Sequence, residues 1–264
     1  MRPMTGYRVL ALGTSEVTHD SSDGTPGFTD LYLEALERLA TETHWSLESL
    51  LLYPSPAMAA RARTAVARYQ PMVLLWMLGV NTFSEATVMF SIRRRYPRLY
   101  PIASRLIASG KSAAGGGAEG STSLRGFLFR LPRAIARGVF GTAPLLDREV
   151  AFNSTRETFK LLHELQLPVV CRLAEGNVQQ ADQAAAARAN AIAYNAEVLS
   201  LARGLVFKTF NPKAELAEAC GRESDSLHYD LPTRKYAANR AAALTLEAFG
   251  ERAAGSGTGD TAAV

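Results

Sequence analysis

Tyr7-Arg8-Val9-Leu10-Ala11-Leu12-Gly13-Thr14-Ser15 is the stretch whose reading decides the fold. Val9 to Leu12 is an unbroken apolar run of strand length, the pattern of a parallel strand covered on both faces. Gly13 ends the run, and a polar turn rich in Gly and Ser follows as far as Gly27. The spacing then predicts a helix over Phe28 to Thr43, with Leu31, Ala35, Leu36 and Leu39 on one face. Trp45 to Tyr53 contains a second strand, stopped by Pro54 and Pro56. An Ala/Arg helix from Ala57 to Tyr69 is broken at Pro71, and Met72 to Leu78 forms a third strand. Beyond a long central region lie a helix from about Val150 to Leu165, a strand over Pro168 to Leu173 and an Ala-rich helix over Gln180 to Ala202. Gly204 to Thr209 is the fifth strand, and Leu231 to Phe249 the closing helix. Strand and helix alternate, which calls for a parallel sheet with helices on both faces and with the chemistry at the carboxyl ends of the strands.

Composition agrees with a globular chain. Of 264 residues, 47% are hydrophobic, with a mean hydropathy of −0.03. The chemically suggestive residues span nearly the whole length, so residues 1–252 read as one α/β domain, with an insertion at about 87–147. Residues 253–264 are small and polar and are expected to form a disordered tail. Cys171 and Cys220 are the two cysteines and make no disulfide framework. Neither a signal peptide nor a run long enough to cross a membrane is visible, so a cytoplasmic location is expected.

Charge is unevenly placed. Between Ser91 and Arg137 stand ten basic residues, Arg93, Arg94, Arg95, Arg98, Arg105, Lys111, Arg125, Arg130, Arg133 and Arg137, against the single acid Glu119. That segment carries +9 within a chain of formal charge +4, which leaves −5 elsewhere. It belongs to an insertion, Thr87 to Asp147, that mixes arginines with large apolar residues and contains a flexible-looking Gly-rich loop from Gly110 to Ser123. Surface helices with solvated arginines are one reading. The other is a lid with an apolar underside and a cationic outside, suited to an acidic carrier protein, an anionic acyl substrate or a membrane face. Nucleic acid is not expected, because no recognition fold accompanies the charge.

Three clusters carry candidate chemistry. Ser15 follows Gly13 at a strand end, where a hydroxyl can project over the sheet edge or simply cap a turn. His228 follows Asp225 by three residues in a polar turn, a spacing that lets the carboxylate reach Nδ1–H and aim Nε2 at a nucleophile. A solvated loop histidine is the plain alternative. Asn81 follows Gly79-Val80 after the third strand, either as a helix cap or as a side-chain donor to a developing oxyanion. His19, His44 and His163 compete poorly as bases, the last two as structural or exposed residues. No pair of Cys or His has metal-ligand spacing, and no phosphate loop or dinucleotide turn occurs, so neither a metal nor a cofactor is expected.

In the order Ser, Asn, Asp, His, these clusters resemble the SGNH hydrolase superfamily, the GDSL-type esterases and lipases. Gly13-Thr14-Ser15-Glu16-Val17 is similar to the nucleophile block, Gly79-Val80-Asn81-Thr82 to the block bearing the oxyanion Asn, and Asp225-Ser226-Leu227-His228-Tyr229 to the Asp-x-x-His block. The resemblance implies a flavodoxin-like three-layer α/β/α sandwich around a five-stranded parallel sheet, plus the basic helical insertion. It also implies Ser15 as nucleophile, His228 as base, Asp225 as orienter, and Asn81 with the Ser15 N–H as oxyanion donors. Thr14 and Thr82 replace the usual acids, and Tyr53-Pro54-Ser55-Pro56-Ala57 stands where a donor glycine is usual. Proline has no N–H, so a third donor comes from Ser55 or Ala57 or is missing. The expected function is a serine hydrolase or acyltransferase acting on an ester or thioester through an acyl-enzyme. The alternative is a catalytically degraded relative that serves as a binding module for an acidic partner.

Overall fold

The structure is a computed structural model, and it describes residues 6–13, 25–79, 81–84, 88–101, 143–175, 183–220 and 229–256. Five parallel strands make the sheet: β1 (Gly6–Gly13), β2 (His44–Leu51), β3 (Val73–Met77), β4 (Val169–Arg172) and β5 (Phe207–Phe210), in the order β2-β1-β3-β4-β5. This is the flavodoxin-like order of a doubly wound sheet, whose winding reverses between β1 and β3. The helices described are α1 (Phe28–Leu39), α2 (Met58–Tyr69), α3 (Asn81–Ser84), α4 (Val88–Arg95), α5 (Arg148–Leu165), α6 (Ala184–Leu201), α7 (Pro212–Cys220) and α8 (Leu231–Ser256).

Position in the sheet explains the composition of each strand. β3 (VLLWM) and β4 (VVCR) are buried throughout, because helices cover both faces. β2 (HWSLESLL) and β5 (FKTF) lie at the two edges and carry partly exposed polar residues. Successive side chains alternate between two cores. Val9, Ala11, Val73, Leu75, Met77 and Val170 pack with α1 and α8, while Leu10, Leu12, Leu74, Trp76, Val169 and Cys171 pack with α2, α5 and α6. A run of buried alanines, Ala237, Ala238, Ala241, Ala242 and Ala248, lets α8 sit close to the sheet.

Each core holds one buried Tyr–Thr hydrogen bond. Tyr32 of α1 meets Thr245 of α8 at 2.8 Å, and Tyr194 of α6 meets Thr155 of α5 at 2.7 Å. Both threonine hydroxyls donate to a carbonyl one turn earlier, Ala241 and Ala151, so each tyrosine O–H is the donor to its threonine. Burial pushes both phenols well above their ordinary range, because ionisation would strand a charge in an apolar layer. The Cys171 thiol is raised for the same reason and behaves as a small apolar residue.

Four expectations change. α1 stops at Leu39 and not at Thr43: the Thr43 hydroxyl donates to the Ala40 carbonyl and accepts from Trp45 Nε1, turning the chain into β2. His44 therefore opens a strand, and Leu39 is 49% exposed. α7 is an additional short helix, started by Asn211, whose side chain accepts the Ala214 N–H. α8 runs on to Ser256, past Phe249, where the closing helix is expected to end. The Gly-rich loop, most of the basic insertion (102–142) and residues 257–264 lie outside the described residues.

Candidate active site

Gly13 is where the site begins. It is paired with Leu51 of β2 and Met77 of β3, and its carbonyl accepts the Leu52 N–H at 2.8 Å. Three chain exits therefore share one sheet edge: toward Ser15 after Gly13, toward Ser55 after Leu52, and toward Asn81 after Met77. Gly13 has φ +149°, and a β-carbon there would overlap the Met77 carbonyl oxygen and lie 2.7 Å from Met77 Cβ. Only glycine allows β1 to end this close to β3.

Ser55 is half-buried in the short bend between β2 and α2, and its carbonyl accepts the Met58 N–H at 2.9 Å. Gly79 is half-buried in the link from β3 to α3. Asn81 opens α3, the single turn at the carboxyl end of β3. Phe83 fixes that turn: it is 5% exposed and packs edge-on against Tyr194 and Phe152 at 5.3 and 6.1 Å between centroids. Ser15, Asp225 and His228 lie outside the described residues, as does His19. His163 is structural, donating from Nε2 to the Leu201 carbonyl at 2.8 Å.

The described residue that follows His228 is Tyr229, buried at the same sheet edge. Its hydroxyl donates to Glu175 Oε1 and accepts from Arg172 Nη1 at 3.3 Å. Arg172 Nη2 donates to the Leu78 carbonyl at 3.0 Å, and the Leu78 N–H donates to the Arg172 carbonyl at 3.1 Å. Lys213 Nζ lies 3.7 Å from Glu175 Oε2 and 5.8 Å from the Tyr229 ring centre. Arg172 is 6% exposed, so its charge is held by these contacts and by the Tyr229 ring at 5.5 Å.

Sequence reasoning missed this cluster. Arg172 sits inside Val169-Val170-Cys171-Arg172-Leu173, where the apolar run hides it, and its partners Tyr229 and Leu78 are 57 and 94 residues away. A charged residue at the carboxyl end of a fully apolar strand was the available signal. Among the described residues, no group of three or more His, Cys, Asp or Glu gathers as a metal site, and no helix is long and apolar enough to cross a membrane.

No protein-family model matches the chain, and no curated protein matches it either. Solved structures do. The fold is similar to that of a catalytic mutant of Axe2, an acetylxylan esterase from Geobacillus stearothermophilus, with a TM-score of 0.52 at 14% identity over 95% of this chain and 97% of that one. Another Axe2 variant from the same organism gives a TM-score of 0.51, again at 14% identity and with the same coverage. The chain shares the α/β fold of these esterases, a five-stranded parallel sheet with helices on both faces.

Proposed function

We propose that the chain is a serine hydrolase or acyltransferase of the SGNH type, acting on an ester or thioester. The observation that carries this reading is the convergence of Gly13, Leu78 and Tyr229 on the carboxyl edge of the sheet, from the switch point between β1 and β3 across to the end of β4. Those residues flank Ser15, Asn81 and His228 in the sequence.

Ser15 Oγ attacks the acyl carbonyl while His228 Nε2 takes the hydroxyl proton. Asp225 accepts from Nδ1–H, fixing the tautomer and stabilising the imidazolium. The Asn81 amide and the Ser15 N–H donate to the oxyanion, and one such donor contributes on the order of 3 kcal/mol to the transition state. Collapse of the tetrahedral intermediate expels the alcohol or thiol, protonated by His228, and leaves an acyl-Ser15 ester. Water, or an acceptor alcohol or amine, then attacks that ester with His228 as base and releases the acyl group.

Exposed Arg93, Arg95 and Arg98 stand beside exposed Tyr96 and Leu99, a mixed surface that suits an anionic acyl carrier. Arg94 is committed elsewhere, to a paired contact with Asp147 at 2.8 and 2.6 Å. The Pro54-Ser55-Pro56 bend favours a second reading, a binding module with an incomplete oxyanion hole.

Labelling by a fluorophosphonate decides between them, since it requires an activated serine. Under the enzyme reading, wild type labels and Ser15→Ala does not. Ser15→Ala and His228→Ala each then lower turnover of p-nitrophenyl acetate by about 10⁴-fold, and the double variant is little worse. Asn81→Ala lowers kcat by about 10²–10³ with little change in KM. An unlabelled wild type eliminates the enzyme reading.

A further inference from the structure

Leu78 precedes the Gly79-Val80-Asn81 block, Tyr229 follows His228, and Thr25-Pro26 end the stretch that begins at Ser15. Two guanidinium groups tie these three places together. Arg172 reaches the Leu78 carbonyl with Nη2 and the Tyr229 hydroxyl with Nη1. Arg234, in the first turn of α8, reaches the Tyr229 carbonyl with Nη2 at 3.1 Å. Its Nη1 reaches the Pro26 carbonyl at 2.9 Å and the Thr25 hydroxyl at 3.0 Å.

We propose that Arg172 and Arg234 are positioning residues that hold the ends of the Ser15, Asn81 and His228 loops in mutual register. The proposal rests on the esterase reading above for its purpose, and on the hydrogen bonds alone for its geometry.

The surroundings are built to keep the clamp rigid. Tyr229 is fixed at its hydroxyl, between Arg172 and Glu175, and at its carbonyl, by Arg234. Glu175 is in turn held by its neighbour Ala174, whose N–H and carbonyl are both bonded to the Asn195 side chain, at 2.9 and 2.8 Å. The residue after Tyr229 caps α8: Asp230 Oδ1 accepts the Thr233 N–H at 3.0 Å. A lysine at 172 or 234 would place one ammonium where a planar fork now serves acceptors on different loops. Desolvating a guanidinium is costly, and at the end of an apolar strand Arg172 offsets that cost through hydrogen bonds from its two Nη atoms to acceptors on different segments, which fixes their separation.

The test uses the full chain with p-nitrophenyl acetate as substrate, together with amide hydrogen exchange read over residues 78–84 and 229–234. Arg172→Met is expected to lower kcat by about 10²-fold with KM changed less than about twofold, because a displacement near 1 Å costs that much in a positioned reaction. Exchange in both segments should quicken. Arg172→Lys should recover little of the loss. Tyr229→Phe keeps the ring packing and removes only the hydroxyl link, so it reports even if Arg172→Met does not fold. It should lower kcat by about 10-fold and quicken exchange over 78–84. Unchanged exchange over 78–84 in Tyr229→Phe overturns the clamp, as does a loss that falls on KM alone. Wild-type turnover that survives Ser15→Ala sinks the esterase reading and the catalytic purpose of the clamp, while the exchange data still decide whether the clamp exists.

Discussion

Gly13 shows how little chemistry a decisive residue needs. Its role is to leave room: the chain passes the Met77 backbone at a distance no side chain allows, with a φ that L residues avoid. Gly13→Ala should therefore cost about 3 kcal/mol or more through combined overlap and strain, lowering the thermal midpoint by roughly 6–12 °C for a chain of this size. Calorimetry checks it, and a midpoint within a degree or two of wild type would show that β1 and β3 can part without loss. Gly13 was readable from the sequence because it ends an apolar run. Arg172 was not, because its meaning comes from contacts with Leu78 and Tyr229, 94 and 57 residues away. Ser15, Asn81 and His228 are proposed from residue types in order, which is information about identity; the hydrogen bonds that join Arg172 to Leu78 and Tyr229 are information about distance.

At the scale of elements, the strands were legible wherever both faces are covered. Val9 to Leu12 and Val73 to Leu78 are continuous apolar runs because helices pack on both sides of them. α7 was not legible, since nine residues with Leu216 as the one large aliphatic side chain give no clear period, although Asn211-Pro212 is a helix-start signal. The end of α1 escaped because side-chain bonds from Thr43, and not a Gly or Pro, turn the chain. Helix ends also carry avoidable strain. α2 closes on Gln70 and α5 on Gln166, both left-handed at φ +45° and +50°. Gln166 recovers something through its side-chain amide, which donates to the His163 carbonyl at 2.8 Å. Gln70 is exposed and precedes Pro71, so Gln70→Gly should raise stability by about 0.5–1 kcal/mol and the melting midpoint by about 2 °C. A lower midpoint in calorimetry would mean that the extra freedom of glycine in the unfolded chain outweighs the relief.

Over the whole molecule, charge is segregated, +9 in residues 91–137 against −5 elsewhere. If the exposed arginines steer an anionic acyl donor, Arg93, Arg95 and Arg98 changed together to Glu should lower kcat/KM for an acyl-coenzyme A thioester by about 10-fold or more, within the range steering supplies. The same variant should turn over neutral p-nitrophenyl acetate at the wild-type rate. Between 0.05 and 0.5 M salt the wild-type rate with the thioester should fall, as the screening length shortens below about 10 Å. Equal loss on both substrates would mark damaged folding, and a flat salt profile would leave the arginines as a solvated face. Arg94 stands apart from that set, because its fork grips Asp147 at the threshold of α5 and so closes the stretch between residues 94 and 147. A polypeptide whose two ends meet at one side-chain pair is, for an engineer, a removable cassette. Replacing residues 96–145 with a short Gly-Ser bridge closes only a small loop, which costs little chain entropy. The shortened protein should still melt in one cooperative step, as among the described residues the two cores on either side of the sheet draw on none of those removed except Ala143 and its neighbours at the entry to α5.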